Sequence, residues 1–424
     1  MSILVAITLS AFIPQRFLTP SEKMLAWQVA HPLAERLSNL LGLHRIYTHP
    51  AFALVLTGVT VSLALSTWNQ CLIAWQRTFH SDRGITGSEC FPVPGTATDS
   101  CRTLAANGYY RQRISGGNVL LVRHPWGYWG NALLHLGMVV TIAASLLIAL
   151  TQQRGVFQLA EGAIQHPYDP LLIEEHGLLA KQLILPESLR LDRITYSFWP
   201  TYGVRQVAST LAFLSDGGTA ETKTVEINSI LIHRGIHFYQ GIEFGHAFFV
   251  EVTGPSGFNQ VFQLQIQHPE IPDKPSYNDF QDLLGNDYLV RAKYLVDAEK
   301  KSFDNVNPLL TLRLDRQGKE VGQLPMQMGG EGAIGPYKFY FRAFAPWSRL
   351  IVVKLTGMPG IFFGFFIICL GGILHYFTPP REAWVCETTG VGTEVCWRAT
   401  KFADFYLDEL ASLKKTLGCE ENNG

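Results

Sequence analysis

Charge is scarce in this chain. Only 16% of its 424 residues are Asp, Glu, Lys or Arg, while 47% are hydrophobic. A soluble globular chain is about one quarter charged, so the deficit points to membrane segments. Mean hydropathy is +0.11. The charges nearly cancel, at a net of −1, which is not the basic footprint of a nucleic-acid binder. Cysteine is missing from Gly155 to Lys354, although seven occur elsewhere. A domain facing an oxidising compartment can avoid free thiols, whereas cytosolic segments keep theirs reduced. The two parts are therefore expected on opposite sides of a membrane. No nucleophile elbow, phosphate loop, zinc-ligand spacing or EF-hand pattern occurs. A self-standing enzymatic activity has no support.

What is present is organised around the stretch between Arg123 and Arg154, which holds no acidic or basic residue apart from histidine. It is long enough to cross a bilayer as a helix. Trp126, Tyr128 and Trp129 stand at one end, where amphipathic rings favour the headgroup layer. A single titratable residue, His135, lies inside the apolar run.

The rest of the chain falls into place around it. Residues 1–15 are apolar but short, and read as a first transmembrane segment or a shallow re-entrant one. They lack the basic start and cleavage site of a signal peptide. Residues 16–49 read as an amphipathic segment near the membrane surface, its leucines at helical spacing and Pro32 interrupting it. A second transmembrane helix is expected at 50–73, a loop at 74–124 and a third helix at 125–152. Within the loop, GITGSECFPVPGTATDSC reads as irregular. Residues 153–354 then change to short strands rich in β-branched and aromatic residues, with turns at Gly254-Pro255-Ser256-Gly257 and Gln317-Gly318. This is the pattern of an all-β sandwich or barrel-like domain. A fourth helix is expected at 355–377, and a tail with a hairpin and an amphipathic helix at 378–424.

The fold class is therefore an integral membrane protein of about four transmembrane helices, with a large all-β extracytoplasmic domain inserted between the third and fourth spans. Lys/Arg density is similar on the two sides, so the positive-inside rule barely orients it. The cysteines place the 74–124 loop and the tail in the cytoplasm, and 16–49 with the β-domain outside.

A series of local motifs runs along the chain: Ile13-Pro14-Gln15, LGLHRIYTHPAF (Leu41–Phe52), and Gly130, His135 and Gly137 in the third span. GVFQLAEG, INSILIHRGIHFYQ (Ile227–Gln240), Met358-Pro359-Gly360 and the REAWV of the tail follow. With these motifs the chain resembles the ResB (CcsB) family of system II cytochrome c biogenesis proteins. It is the order of these motifs that is specific. The sequence departs from the family in its short first segment, in Ser66-Thr67 where many relatives have Cys-Thr, and in its long cysteine-bearing loop. The resemblance implies one half of a complex in the cytoplasmic (inner) membrane. The other half would be a CcsA/ResC-type haem-handling protein. Together they would move or present haem and attach it to apocytochrome c. This chain has no Cys-x-x-Cys-His and no tryptophan-rich WWD run, so it is neither a c-type cytochrome nor a fused synthase. The alternative is a non-haem membrane receptor or accessory scaffold whose β-domain binds a partner.

Several residues could carry chemistry. A histidine inside a span is costly to bury and is usually partnered or functional. Neutral imidazole is an axial ligand of haem iron. His135 is the first candidate haem ligand, with Asn131 one turn earlier to orient its ring. The alternative for His135 is a hydrogen bond between helices. His375 is a weaker candidate, near an aromatic belt at the end of the fourth span. Haem b, transient or shared with the partner, is the cofactor implied. His233 and His237, at i and i+4, would lie on one face of a strand about 13 Å apart, unless a turn at Arg234-Gly235 intervenes. His44 and His49 read as polar interfacial residues. Cys386 and Cys396 flank the tail hairpin and could face each other. Cys90 and Cys101 lie in the loop, and Cys369 reads as packing.

Overall fold

The structure, a computed structural model, describes residues 8, 11–17, 19, 21–79, 88–115, 118–215, 218–281, 283–285, 287–300, 302–303, 306–388 and 392–419. The first transmembrane segment expected at 1–15 falls largely outside these residues. Two helices follow it, α1 (Ser21–Ala30) and α2 (Pro32–Leu41). Pro32 has no amide hydrogen to give a continuing helix, so the chain restarts there with the proline in the first turn. Helix α3 runs from Pro50 to Phe79, further than the expected end at 73. Its polar stretch does not break it, because Gln70 finds a partner on a neighbouring helix.

The chain divides into two compact units, one of residues 1–150 with 356–424 and one of residues 151–355. The first holds α3, α4 (Ala97–Ala106), α5 (Gly130–Thr151), α6 (Met358–Tyr376) and α7 (Leu407–Thr416). Among the described residues three helical stretches are long and apolar enough to cross a membrane: Pro50–Phe79, Pro125–Thr151 and Met358–Tyr376. Helices α5 and α6 pack through small residues. A Cβ on Gly137 would meet Ile368 at 2.6 Å, and one on Gly371 would meet the backbone of Leu134 at 2.6 Å. Bare backbones can approach this closely in lipid, where packing rather than hydrophobicity holds helices together.

The loop before α5 is not irregular. It contributes strands Glu89–Val93, Tyr110–Ser115 and Asn118–Arg123, with α4 between the first two. Thr96 caps α4 by accepting from the amide of Asp99, and Pro94-Gly95 mark only the connection. These strands join the tail hairpin, Arg381–Thr388 and Gly392–Ala399, in one antiparallel five-stranded sheet. One face buries Phe91, Leu121, Val385, Val395 and Trp397 against Leu104 of α4 and Leu410 and Leu413 of α7. The other face buries Leu120, Val122, Trp384, Cys386 and Cys396 with Tyr128.

The second unit is built on two long antiparallel strands, Ile236–Thr253 and Tyr337–Lys354. Their pairing shifts register between Gln240 and Phe244, which bends the ribbon. Each half of the ribbon carries its own sandwich. On one half, beside Gln153–Ala160, a sheet ending in Gly218–Glu226 closes over Phe238, Leu350 and Val352. On the other half, a sheet beginning at Ser276–Gln281 closes over Phe248, Val250 and Phe341. The all-β expectation thus resolves into two sandwiches sharing one bent strand pair. Gln317 (φ 50°) and Gly318 (φ 78°) make the tight hairpin turn that their sequence suggests.

Candidate functional site

His135 lies on α5, partly exposed. Its Nδ1 is buried and has no hydrogen-bond partner. Asn131 does not orient the ring. Its amide nitrogen instead donates to Gln70 Oε1 on α3, at 2.7 Å. Because residues four apart share a helix face, His135 is on the side of α5 that carries this link to α3. Gly137, which packs on α6, is two residues on and so roughly 200° around the helix. His135 therefore points away from α6.

His375 lies near the end of α6. A Cβ on Gly130 would meet its backbone nitrogen at 2.5 Å. Its ring is engaged by Lys401 of the tail, whose ammonium lies 3.0 Å from Nδ1 and 2.8 Å from Nε2. Burial, and then the charge of Arg77, push the Lys401 ammonium below its ordinary value. His375 is level with Gly130, five residues or roughly 7.5 Å along α5 from His135.

The start of α5 is tied to the sheet. Tyr128 OH donates to Glu382 at 2.5 Å, and Arg398 pairs with the same carboxylate. Nearby, Glu409 on α7 accepts from Tyr109 OH at 3.0 Å and from Arg123 at 2.9 Å. Trp397 donates to the same Tyr109 hydroxyl at 2.7 Å. Burial raises Tyr109 above the ordinary phenol range. This network holds the entry to α5, and so the height of His135, against a folded unit.

The cysteines pair differently from the expectation. Cys396 is bonded to Cys90 across the pair of strands that their register brings together. Cys386 stands opposite Glu394, not opposite Cys396, and stays a buried thiol. In the hairpin each cysteine is offset from the other by the two-strand register, which the spacing alone did not reveal. Register alone sets these two sulfurs side by side, and the compartment decides whether the bond persists.

His233 and His237 of the second unit do not share a face. Arg234 (φ 46°) and Gly235 (φ 77°) form a tight turn, so His233 pairs with Ile236 and His237 with Ile232. The two imidazoles are on opposite faces of the hairpin, not on one face of a continuous strand. His233 is held between Glu187 and Glu221 and stacks on Phe213 at 3.9 Å. His44 bonds the carbonyl of Pro14 through Nδ1 and Glu35 through Nε2, each at 2.9 Å. His49 accepts from the amide of Ala51 at 3.2 Å and so caps α3.

Two buried imidazoles escaped the sequence reading. His246 Nδ1 lies 2.5 Å from Tyr294 OH, and His268 Nδ1 lies 2.8 Å from the carbonyl of Pro269. The His268 ring sits among Phe198, Phe244 and Phe303. Burial pushes His246 down to about 3 and His268 to about 4. No spacing in the sequence marks them, since it is the register of the hairpin, His246 opposite Ile266, that brings them near each other.

A haem ligand needs an imidazole nitrogen free of other bonds. His135 meets that need among the described residues, and His375 has its ring nitrogens against Lys401. A family model described as the ResB-like family matches residues 1–404. The chain is also similar to two proteins called cytochrome c biogenesis protein CcsB. The one from Synechococcus sp. (strain WH7803) is 27% identical over 61% of this chain and 54% of its own length. The one from Synechococcus sp. (strain CC9605) is 24% identical over 82% of this chain and 77% of its own. The chain thus spans about half the length of the first relative.

Proposed function

The chain belongs to the ResB-like family, and from that premise we propose that it is a membrane subunit of cytochrome c biogenesis. With a CcsA/ResC-type partner it handles haem and presents apocytochrome c for covalent haem attachment outside the cytoplasm. It acts as an accessory subunit of the attaching complex, not as an enzyme by itself. It resides in the cytoplasmic membrane with the 151–355 unit on the outer side. The names of its relatives support the process. The observation that carries the haem reading is the unpartnered, buried Nδ1 of His135 on an otherwise apolar helix.

His135 would hold the haem, and a second ligand would come from the partner. Bound haem supplies the group that is to be transferred. The chain's own residues set the geometry. Gln70 and Asn131 lock α3 to α5 beside His135. Tyr128 and Glu382 hold the entry of α5. The 151–355 unit ends one of its sheets in Gly218–Glu226, an edge to which an extended apocytochrome segment can add.

The test is the reduced-minus-oxidised spectrum of the purified chain, with and without the CcsA-type partner. A b-type signal that falls in His135→Ala supports the reading. Full haem content in that variant ends it. Haem absent from both preparations leaves a scaffold for apocytochrome, with His135 serving helix packing.

A further inference from the structure

Two strands of the 151–355 unit are continuous with membrane helices. Strand Gln153–Ala160 begins two residues after the end of α5, and strand Tyr337–Lys354 ends shortly before α6. Their ends are paired, Gln153 opposite Lys354. Both tethers therefore leave this sheet at the same end.

The next strand outward, Ile173–His176, reaches the same end, with His176 opposite Gln153. The chain then turns. Ala180 N–H donates to the Gly177 carbonyl at 3.0 Å, which closes a turn with Leu178 and Leu179 at its centre. The turn is strapped to the residues that leave α5. Gly177 N–H donates to the Gln152 carbonyl at 2.8 Å, and the Gln153 amide donates to the carbonyls of Lys181 and Gln182 at 2.7 and 3.2 Å. Turn centres favour Gly, Asn, Asp, Ser and Pro, each for a backbone or hydrogen-bonding reason. Here they are two leucines, 52% and 72% exposed. Two adjacent exposed leucines at this position are not what the turn's backbone calls for.

We propose that the Leu178-Leu179 turn dips into the lipid interface beside the exit of α5. The occupant is the bilayer itself. Chain continuity supports this: the turn is bonded to Gln152 and Gln153, the residues that directly follow α5 in the chain. Lys181 and His176 flank the leucines, as polar residues that can reach headgroups while the apolar side chains enter the acyl boundary. The turn would then act as a third contact that stops the sheet from rocking on its two tethers.

The native chain has no cysteine between Gly155 and Lys354, so a new thiol there is read without interference on its own peptide. Leu178→Cys and Leu179→Cys would be made in the full chain and placed singly in phospholipid nanodiscs. Tyr277→Cys, at a site 64% exposed in the sheet beginning at Ser276, is the control. Each is treated with a charged and with an apolar maleimide, and modification is read by peptide mass spectrometry. Turn thiols in lipid should react with the charged reagent at least tenfold more slowly than Tyr277→Cys, and no more slowly with the apolar one. Equal rates with the charged reagent overturn the proposal. So would slow reaction with both reagents, which would mean burial against protein. Denatured chain reports equal intrinsic reactivity. Two separate turn variants guard against one of them misfolding.

Discussion

Gly130 lies against His375 so closely that a Cβ would come within 2.5 Å of the histidine's backbone nitrogen. This contact sets the spacing of α5 and α6 at the end where both candidate histidines are found. Gly130→Ala should therefore push the helices apart. Overpacking of this kind costs about 1–3 kcal/mol. Gly58 on α3 has nothing within 4 Å of its Cβ position. Gly58→Ala should be neutral or slightly stabilising, since glycine inside a helix costs about 0.5–1 kcal/mol relative to alanine. Thermal unfolding of both variants in the same detergent would check the contrast. Equal midpoints would count against the close packing.

The Lys401–His375 contact makes a second expectation. His375→Ala should keep a b-type haem signal that His135→Ala loses, because Nδ1 of His135 has no hydrogen-bond partner whereas the His375 ring is engaged by Lys401. The spectra of the two variants, purified with the partner protein, decide it. Loss in both would bring His375 into the haem site.

The buried imidazoles of the second unit predict acid sensitivity, and its sign can be worked out. Unfolded, a histidine titrates near 6.5. Folded, His246 is lowered to about 3 and His268 to about 4. Between these values the unfolded chain binds more protons than the folded one. Stability is therefore full above about pH 6.5 and falls as pH drops toward 4 and 3. The loss by pH 4 is on the order of 3 kcal/mol for each ring. His268→Phe should move the acid unfolding midpoint to lower pH. Near-ultraviolet circular dichroism through a pH titration would show this, and an unchanged midpoint would mean that His268 is protonated in the fold.

Cys90 and Cys396 are 306 residues apart and close the edge of the five-stranded sheet. Where the bond is formed, Cys90→Ser should cost about 2–4 kcal/mol, since it releases a long loop in the unfolded chain. In a reducing compartment the same substitution should change nothing from loss of the link. Alkylation in intact cells followed by peptide mapping tells the two apart. Free thiols there would agree with a cytoplasmic sheet. A bonded pair would put the sheet, and with it the whole topology, on the oxidising side.

Much of this molecule was legible from residue order. Long uncharged runs specify helices in lipid whatever lies around them, because each backbone group bonds within its own segment. Alternation of apolar and polar residues marked the strands of the 151–355 unit, as a period of two must when one face is buried. Local backbone preference announced the turn at Gln317-Gly318 and the helix break at Pro32. The family was also readable, from motifs in a particular order.

What tertiary structure alone decided was pairing between distant segments. The loop at 88–123 carried no strong signal because its strands complete their hydrogen bonding with tail strands that come far later in the chain, as Cys90 with Cys396, 306 residues on. Cys396 chose Cys90 rather than Cys386 by sheet register. Asn131 turned to Gln70 instead of His135, and Lys401 closed on His375, through contacts between helices. Sequence by itself determined which segments are long and apolar enough to cross a membrane, that residues 153–354 fold as strands, and which family the chain belongs to. The third dimension determined which polar groups meet, because a hydrogen bond is fixed by a few ångströms that spacing along the chain does not measure.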